Sequence, residues 1–225
     1  MSIPNPDVFS RRYRAFLFDM DGTLLNSIAA AERVWRIWAE RHGLDVEAFL
    51  ATIHGVRAID TITRQALPGI DPEVEARWIT EAELNDVEGV VAIPGAVEFL
   101  KYLPAAQWAL VTSAPRALAL RRLQAAGIPV PAVLVTAEDV ASGKPDPACY
   151  VLGAQRLGVA VQDCLVFEDA TVGIRAGEAA GADIMVVTST HLVPMMTAHA
   201  CIDGYSALQA LRDVNGLLSL QKLAP

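Results

Sequence analysis

Cysteine is scarce in this chain. Its 225 residues hold three, Cys149, Cys164 and Cys201, well separated in sequence. An odd, scattered set is not a disulfide framework, and each lies in or beside an apolar stretch, as small buried hydrophobes do. Long apolar runs are missing too, and none approaches membrane-spanning length. Residues 1–7 carry neither a basic nor an apolar segment, so no secretory leader is expected. No long basic run occurs and the formal net charge is −8, which argues against nucleic acid or an anionic membrane as partner. The four histidines, His42, His54, His191 and His199, show no metal-ligand spacing, so zinc is not expected. Internal repeats and low-complexity tracts are absent. The expectation is a cytoplasmic, reduced protein, a monomer with a dimer left open. An anionic substrate would need a local positive site, from a metal, a lysine or backbone N–H groups.

What is present is alternation. Ala15–Phe18, Trp108–Val111, Val133–Val135, 165–167 and 184–187 are short apolar runs, each followed by a polar residue, which fits buried parallel strands. Helical patterns over 115–126, 147–157 and Thr171–Ala180 are closed by Gly127, Gly158 and Gly181. Strand–helix alternation with short links predicts an α/β, doubly wound, Rossmann-like parallel sheet. The first connection breaks the rhythm. Almost 90 residues separate Asp19 from the Trp108 run, where a crossover needs only about a dozen. Helical patterns over 29–41, 46–53, Ala58–Gln65 and 73–87 fill that gap, so a small α-helical domain is inserted after the first strand. The return falls at 89–93, before Pro94-Gly95 opens the next core helix.

In open α/β sheets, ligands bind beyond the carboxyl ends of the strands. The first strand delivers Asp19-Met20-Asp21-Gly22-Thr23, which alone reads equally well as a polar turn. A calcium loop fails, because its first and twelfth ligand positions fall on Leu17 and Ile28. A later strand delivers Thr112-Ser113, hydroxyls able to hold phosphate oxygens. Gly143-Lys144-Pro145 places a lysine before a helix, where a solvated surface lysine is the ordinary alternative. A phosphate-binding P-loop is excluded by Glu138 and Pro145 at two required positions. Glu168-Asp169 follows another apolar strand, and adjacent buried carboxylates repel unless a cation sits between them. Four polar clusters, each at a strand's carboxyl end, fit one site better than four accidents.

With these four phrases in this order, and with Gly173 after the last, the sequence resembles the haloacid dehalogenase superfamily of phosphohydrolases over roughly residues 14–211. The insertion point matches the family's helical cap type. The resemblance implies a core of residues 1–26 and 92–225 carrying the active site and a substrate-specificity cap of residues 27–91. It also implies a Mg²⁺-dependent phosphatase. Asp19 would be the nucleophile that forms an aspartyl-phosphate, and Asp21 the general acid and base. The metal would be held by the Asp19 and Asp169 carboxylates and the Asp21 carbonyl, with Glu168 in support. Thr112, Ser113 and Lys144 would hold the phosphate. His54, Gly55 and Arg57 would be the cap residues nearest substrate, against the alternative of a solvated turn. Ile53-His54-Gly55 and Thr136-Ala137-Glu138-Asp139-Val140 look most like the branch acting on small sugar and polyol phosphates. One departure occurs at Leu24-Leu25-Asn26-Ser27, where the family often has Asp in place of Asn26. A phosphomutase of the β-phosphoglucomutase type would use the same aspartates. A dehalogenase lacks the second aspartate, and a phosphonate hydrolase needs a cap lysine that the stretch from Ser27 to Val91 does not contain. A phosphoacceptor regulatory domain has neither the second aspartate nor a cap.

Overall fold

The computed structural model describes residues 7–223. Strand β1 (Ala15–Phe18) is apolar and wholly buried. It is followed by β2 (Leu25–Asn26), four helices, α1 (Ile28–Arg41), α2 (Val46–Leu50), α3 (Ala58–Gln65) and α4 (Pro72–Asn85), and β3 (Val91–Ala92). Then come α5 (Ala96–Lys101), β4 (Trp108–Val111), α6 (Arg116–Ala126), β5 (Val133–Val135), α7 (Ala148–Arg156), β6 (Cys164–Glu168), α8 (Thr171–Ala180), β7 (Asp183–Val187) and β8 (Ala200–Ile202). Six strands form one sheet in the order β5-β4-β1-β6-β7-β8, and every pairing in it is parallel.

Alternation of side chains divides the core in two. Phe16, Phe18, Leu110, Leu165 and Phe167 face α5 and α6. Leu17, Val111, Val135, Val166 and Ile184 face α7 and α8. Both faces are thus covered, as an all-parallel sheet requires, and the expected doubly wound α/β architecture is what the chain adopts. Phe18 and Phe167 stack across neighbouring strands at 4.6 Å between ring centroids.

Helices α1 to α4 enclose a separate core around Trp35, Trp38, Phe49, Ile62 and Ile79. Their tryptophans are packing residues here. Two helices stop short of the spans read from sequence, for local reasons. Helix α2 ends at Leu50 in a run of turns. Helix α4 ends at Asn85 because Asp86 turns out to meet Arg33 in a two-pronged ion pair at 2.8 and 2.6 Å. At the starts, Asp45 and Asp71 accept backbone N–H groups of their helices, the usual N-cap chemistry. Asn26 does similar work for α1 by accepting the Ile28 N–H at 3.1 Å.

Strand β8 and the antiparallel hairpin β9 (Leu208–Arg212) with β10 (Leu218–Lys222) were not foreshadowed by the alternation. The hairpin closes on the chain's beginning, where Tyr13 and Leu218 exchange backbone hydrogen bonds of 2.8 and 2.7 Å. Among the described residues no helix is long and apolar enough to cross a membrane.

The phrase Thr136 to Val140 has a structural role. The Asp139 carboxylate accepts the amide and hydroxyl of Thr136 at 2.8 and 2.9 Å and the Arg156 guanidinium at 2.6 Å. The Arg156 bond, joined by those from Thr136, holds this acid down to about 2 against partial burial. A depressed folded value stabilises above the ordinary carboxylate range and loses that contribution as pH falls through about 2. Asp139→Asn should therefore lower the denaturation midpoint at pH 7 and converge on the parent protein near pH 2. A gap that persists unchanged at pH 2 would refute this ionic contribution.

Candidate active site

The carboxyl ends of β1, β4 and β6 and the loop after β5 meet at one place. Asp19, one residue past β1, is buried, and its Oδ1 accepts the Lys144 ammonium at 2.5 Å. Lys144 is itself buried and also reaches Glu168 Oε1 at 2.7 Å. Glu168 is the last residue of β6, and its carboxylate is fully occupied. Oε1 accepts Lys144 and the Tyr150 hydroxyl, and Oε2 accepts the amides of Asp169 and Ala170 at 2.9 and 3.0 Å. Among the described residues the Asp169 carboxylate takes one hydrogen bond, from Thr23 Oγ1 at 3.1 Å.

Oxygens of Asp19, Glu168 and Asp169 all lie within 4.8 Å of one another. One ammonium faces three carboxylates here, two more than it can balance when all are ionised. Burial pushes Asp19 up to about 8 against the pull of Lys144. Burial, with the charges of Glu168 and Asp19, pushes Asp169 well above the carboxylate range. On Lys144 burial acts the other way, but Asp19 and Glu168 outweigh it and hold the ammonium well above its usual value. Two surplus charges on hard oxygen donors match the requirement of a divalent cation of the magnesium or calcium kind. With Glu168 spoken for, Asp19 and Asp169 are the carboxylates that could hold such a cation.

Gly22 makes room for this arrangement. Its φ is +85°, and a Cβ there would lie 2.0 Å from Asp169 Oδ2, so both conformation and space select glycine.

Asp21 is half-buried, and both of its donors fall on Oδ1: Ser27 Oγ at 2.5 Å and Arg122 Nη1 at 3.0 Å. Arg122 turns its other arm to Glu83 Oε1 at 3.1 Å. Burial pushes Glu83 up to about 7, with Arg122 opposing. These groups line a cavity with Asp19, Thr112 and Trp35.

The helices between β2 and β3 close this cavity and touch the core at several points. The Ser113 hydroxyl donates to the Gly55 carbonyl at 2.9 Å, so that hydroxyl is engaged by the insertion. Thr112 Oγ1 accepts the Ala114 amide at 3.0 Å. His54 and Gly55 line the cavity, and His54 pairs with Glu32 at 3.2 Å. Arg57 does not line it. Its guanidinium grips Asp60 at 2.7 and 3.0 Å and donates to the carbonyls of Val140 and Ala141, which fastens the insertion to the loop ahead of Lys144.

Tyr150, Thr23, Ser27, Glu83 and Arg122 were not singled out as site residues from the sequence. A signal existed for two of them. Arg122 shares the buried face of α6 with Leu118, Ala119 and Leu123, and Glu83 lies one turn after buried Ile79 on α4. A charge on the apolar stripe of a helix needs a buried partner.

The family model of the haloacid dehalogenase-like hydrolases matches residues 13–181, from just before β1 to just past α8, and the chain belongs to that family. Within it, the chain is similar to enzymes named for phosphate esters. Hexitol phosphatase A of Escherichia coli (strain K12) is 43% identical over 189 residues, 82% of this chain and 88% of its own. Glycerol-1-phosphate phosphohydrolase 2 of Saccharomyces cerevisiae (strain ATCC 204508 / S288c) is 32% identical over 203 residues, 85% of this chain and 81% of its own. The crystal structure of CbbY from Rhodobacter sphaeroides in complex with phosphate shares the fold, with a TM-score of 0.70 at 21% identity over 86% of this chain and 95% of its own.

Gly22→Ala should displace Asp169 while leaving the sheet intact. Activity and divalent-cation affinity should fall about 10- to 100-fold with an unchanged far-ultraviolet circular dichroism spectrum. Wild-type cation affinity in this variant would show that Asp169 is not a ligand.

Proposed function

We propose that this protein hydrolyses the monophosphate ester of a small sugar or polyol, through a phosphoryl group carried on Asp19, with Mg²⁺ as its cation. The observation that carries the reading is the Asp19 carboxylate, lying between the Lys144 ammonium and Asp169 and facing a cavity walled by a helical insertion. The names of the relatives support the substrate class.

Lys144 occupies one oxygen of Asp19, and the other is free to attack phosphorus. As that bond forms, the bond from phosphorus to the leaving alcohol breaks. Asp21 carries the proton to the departing oxygen. Its two hydrogen bonds fall on Oδ1, which leaves Oδ2 for that transfer. A water then attacks the phosphoryl group, Asp21 takes its proton, and Asp19 and inorganic phosphate are regenerated. Thr112, the Ser113 backbone amide and Lys144 hold the phosphoryl oxygens as their charge grows. The Asp19 and Asp169 carboxylates and the Asp21 carbonyl would hold Mg²⁺, whose charge would offset the repulsion between the nucleophile and the phosphate. Glu168 anchors Lys144 and the loop bearing Asp169, and so acts by positioning.

Residues 27–91 serve as the cap that excludes water and selects the leaving group, over the core of residues 1–26 and 92–225. His54 and Gly55 contribute to its inner wall, and Arg57 fastens it shut. A cytoplasmic location fits the three free cysteines.

Phosphate release from a panel of sugar and polyol monophosphates tests the proposal. Chelation by EDTA should abolish turnover and Mg²⁺ should restore it, whereas full turnover after exhaustive chelation would refute the cation's role. Transfer of the phosphoryl group back to sugar without free phosphate would mark a mutase. Asp21→Asn should cost about 10²–10⁴-fold on a sugar phosphate and less on an activated aryl phosphate. Mass spectrometry of the quenched Asp21→Asn variant should find a phosphoryl group on Asp19, and none in Asp19→Asn. A phosphoryl group on Asp21 would reverse the two roles.

A further inference from the structure

The cavity wall opposite the carboxylate cluster holds a second charged group. Glu83 comes from α4 of the insertion and Arg122 from α6 of the core, and both side chains are more than nine-tenths buried. The guanidinium is shared between two carboxylates, Asp21 at 3.0 Å and Glu83 at 3.1 Å. Glu83 Oε1 takes the Arg122 hydrogen bond. Among the described residues Oε2 takes none, although the residue lines the cavity. That oxygen is not sealed from solvent, so a hydroxyl entering the cavity can reach it and donate to it.

We propose that Glu83 is a specificity-determining residue that accepts a hydroxyl group of the leaving alcohol, and that the Asp21–Arg122–Glu83 group rejects leaving alcohols bearing an anionic group of their own. This rests on the phosphatase reading above and narrows it to esters of uncharged polyols.

Two features of the geometry carry the assignment. First, the Arg122 guanidinium is the natural site in this wall for a carboxylate or a second phosphate on the substrate. Asp21 and Glu83 already occupy both of its arms, so an anionic leaving group finds no free guanidinium arm and meets the Glu83 carboxylate. Second, an alcohol with several hydroxyls brings the donor that Glu83 Oε2 lacks, beside the carboxylate assigned to protonate its departing oxygen. The same wall thus attracts a neutral polyol and repels its oxidised counterpart. Because Glu83 belongs to the insertion and Asp21 to the core, the selecting wall is complete only when the insertion is closed.

A matched pair of substrates tests this. Sorbitol 6-phosphate and 6-phosphogluconate share a six-carbon chain and a phosphate, and differ at the far end in a hydroxymethyl group against a carboxylate. The reading is the ratio of their kcat/KM values within one preparation, so any loss of folded protein cancels. The wild-type protein should favour sorbitol 6-phosphate by at least about 10-fold, the scale of a buried site that pairs or fails to pair a substrate group. Glu83→Gln, which removes the charge at nearly constant shape, should lower that ratio about 10-fold or more. Glu83→Asp, which keeps the charge, should retain most of it. A wild-type ratio near one would overturn the proposal. So would a Glu83→Gln variant that slows both substrates equally, since a residue that merely supports the wall has no means of telling them apart. If no phosphate ester releases phosphate, the rates themselves are zero, and the phosphatase reading falls together with the assignment of Glu83.

Discussion

One ammonium group organises this molecule's working end. Lys144 is buried between Asp19 and Glu168, where an unpaired charge would be prohibitively expensive. Its two partners come from different strands, and the loop that carries it comes from a third. The ion pairs therefore tie three carboxyl ends of the sheet into one unit. Glu168 can hold the lysine only because Tyr150 and two backbone amides satisfy the rest of its carboxylate. Gly173 must stay bare, because a Cβ there would meet Glu168 Oε1 at 1.6 Å. With all three carboxylates ionised, the surplus negative charge on Asp19 and Asp169 would favour a cation there. A pocket with equal numbers of lysines and carboxylates would be more stable when empty and would have no such appetite.

Much of this was legible in the residues. Apolar runs of three or four residues fit buried parallel strands, and the sheet contains all five that were read. The polar residue after each run had to lie at the sheet's carboxyl edge, so Asp19, Thr112 and Glu168 were placed by topology. Periodicity was silent on longer-range matters. It could not give β8 or the C-terminal hairpin, whose strands are short and half exposed and whose partners are distant in sequence, as Tyr13 is for Leu218. Nor could it tell which way a side chain turns. Arg57 was read as a substrate contact because it lies in a polar turn beside His54. It faces instead the carbonyls of Val140 and Ala141, where its three-way donor set finds fixed acceptors. Glu83 and Arg122 were hidden for the opposite reason, since a charge inside an apolar helical stripe is easily passed over as surface.

The insertion and the core meet through hydrogen bonds to backbone carbonyls and a buried ion pair. The Ser113 bond to Gly55 and the Arg57 bonds to the 140–141 segment are directional and local. Contacts of that type are made and lost as units. The apolar cores on either side are separate, because the insertion keeps its own tryptophan-rich centre.

The two strands through which the chain leaves and re-enters the core lie side by side, with Leu25 opposite Ala92 and Asn26 opposite Val91. Entry and exit are thus neighbours, as in a hairpin whose tip has been expanded into four helices. The sheet does not register what hangs from that tip, since β1 and β4 pair with each other regardless. The helical unit is in that sense a cassette. A lineage can lengthen it, shorten it or exchange it for another without renegotiating the register of a single strand, and so acquire new chemistry at the rim of an unchanged engine.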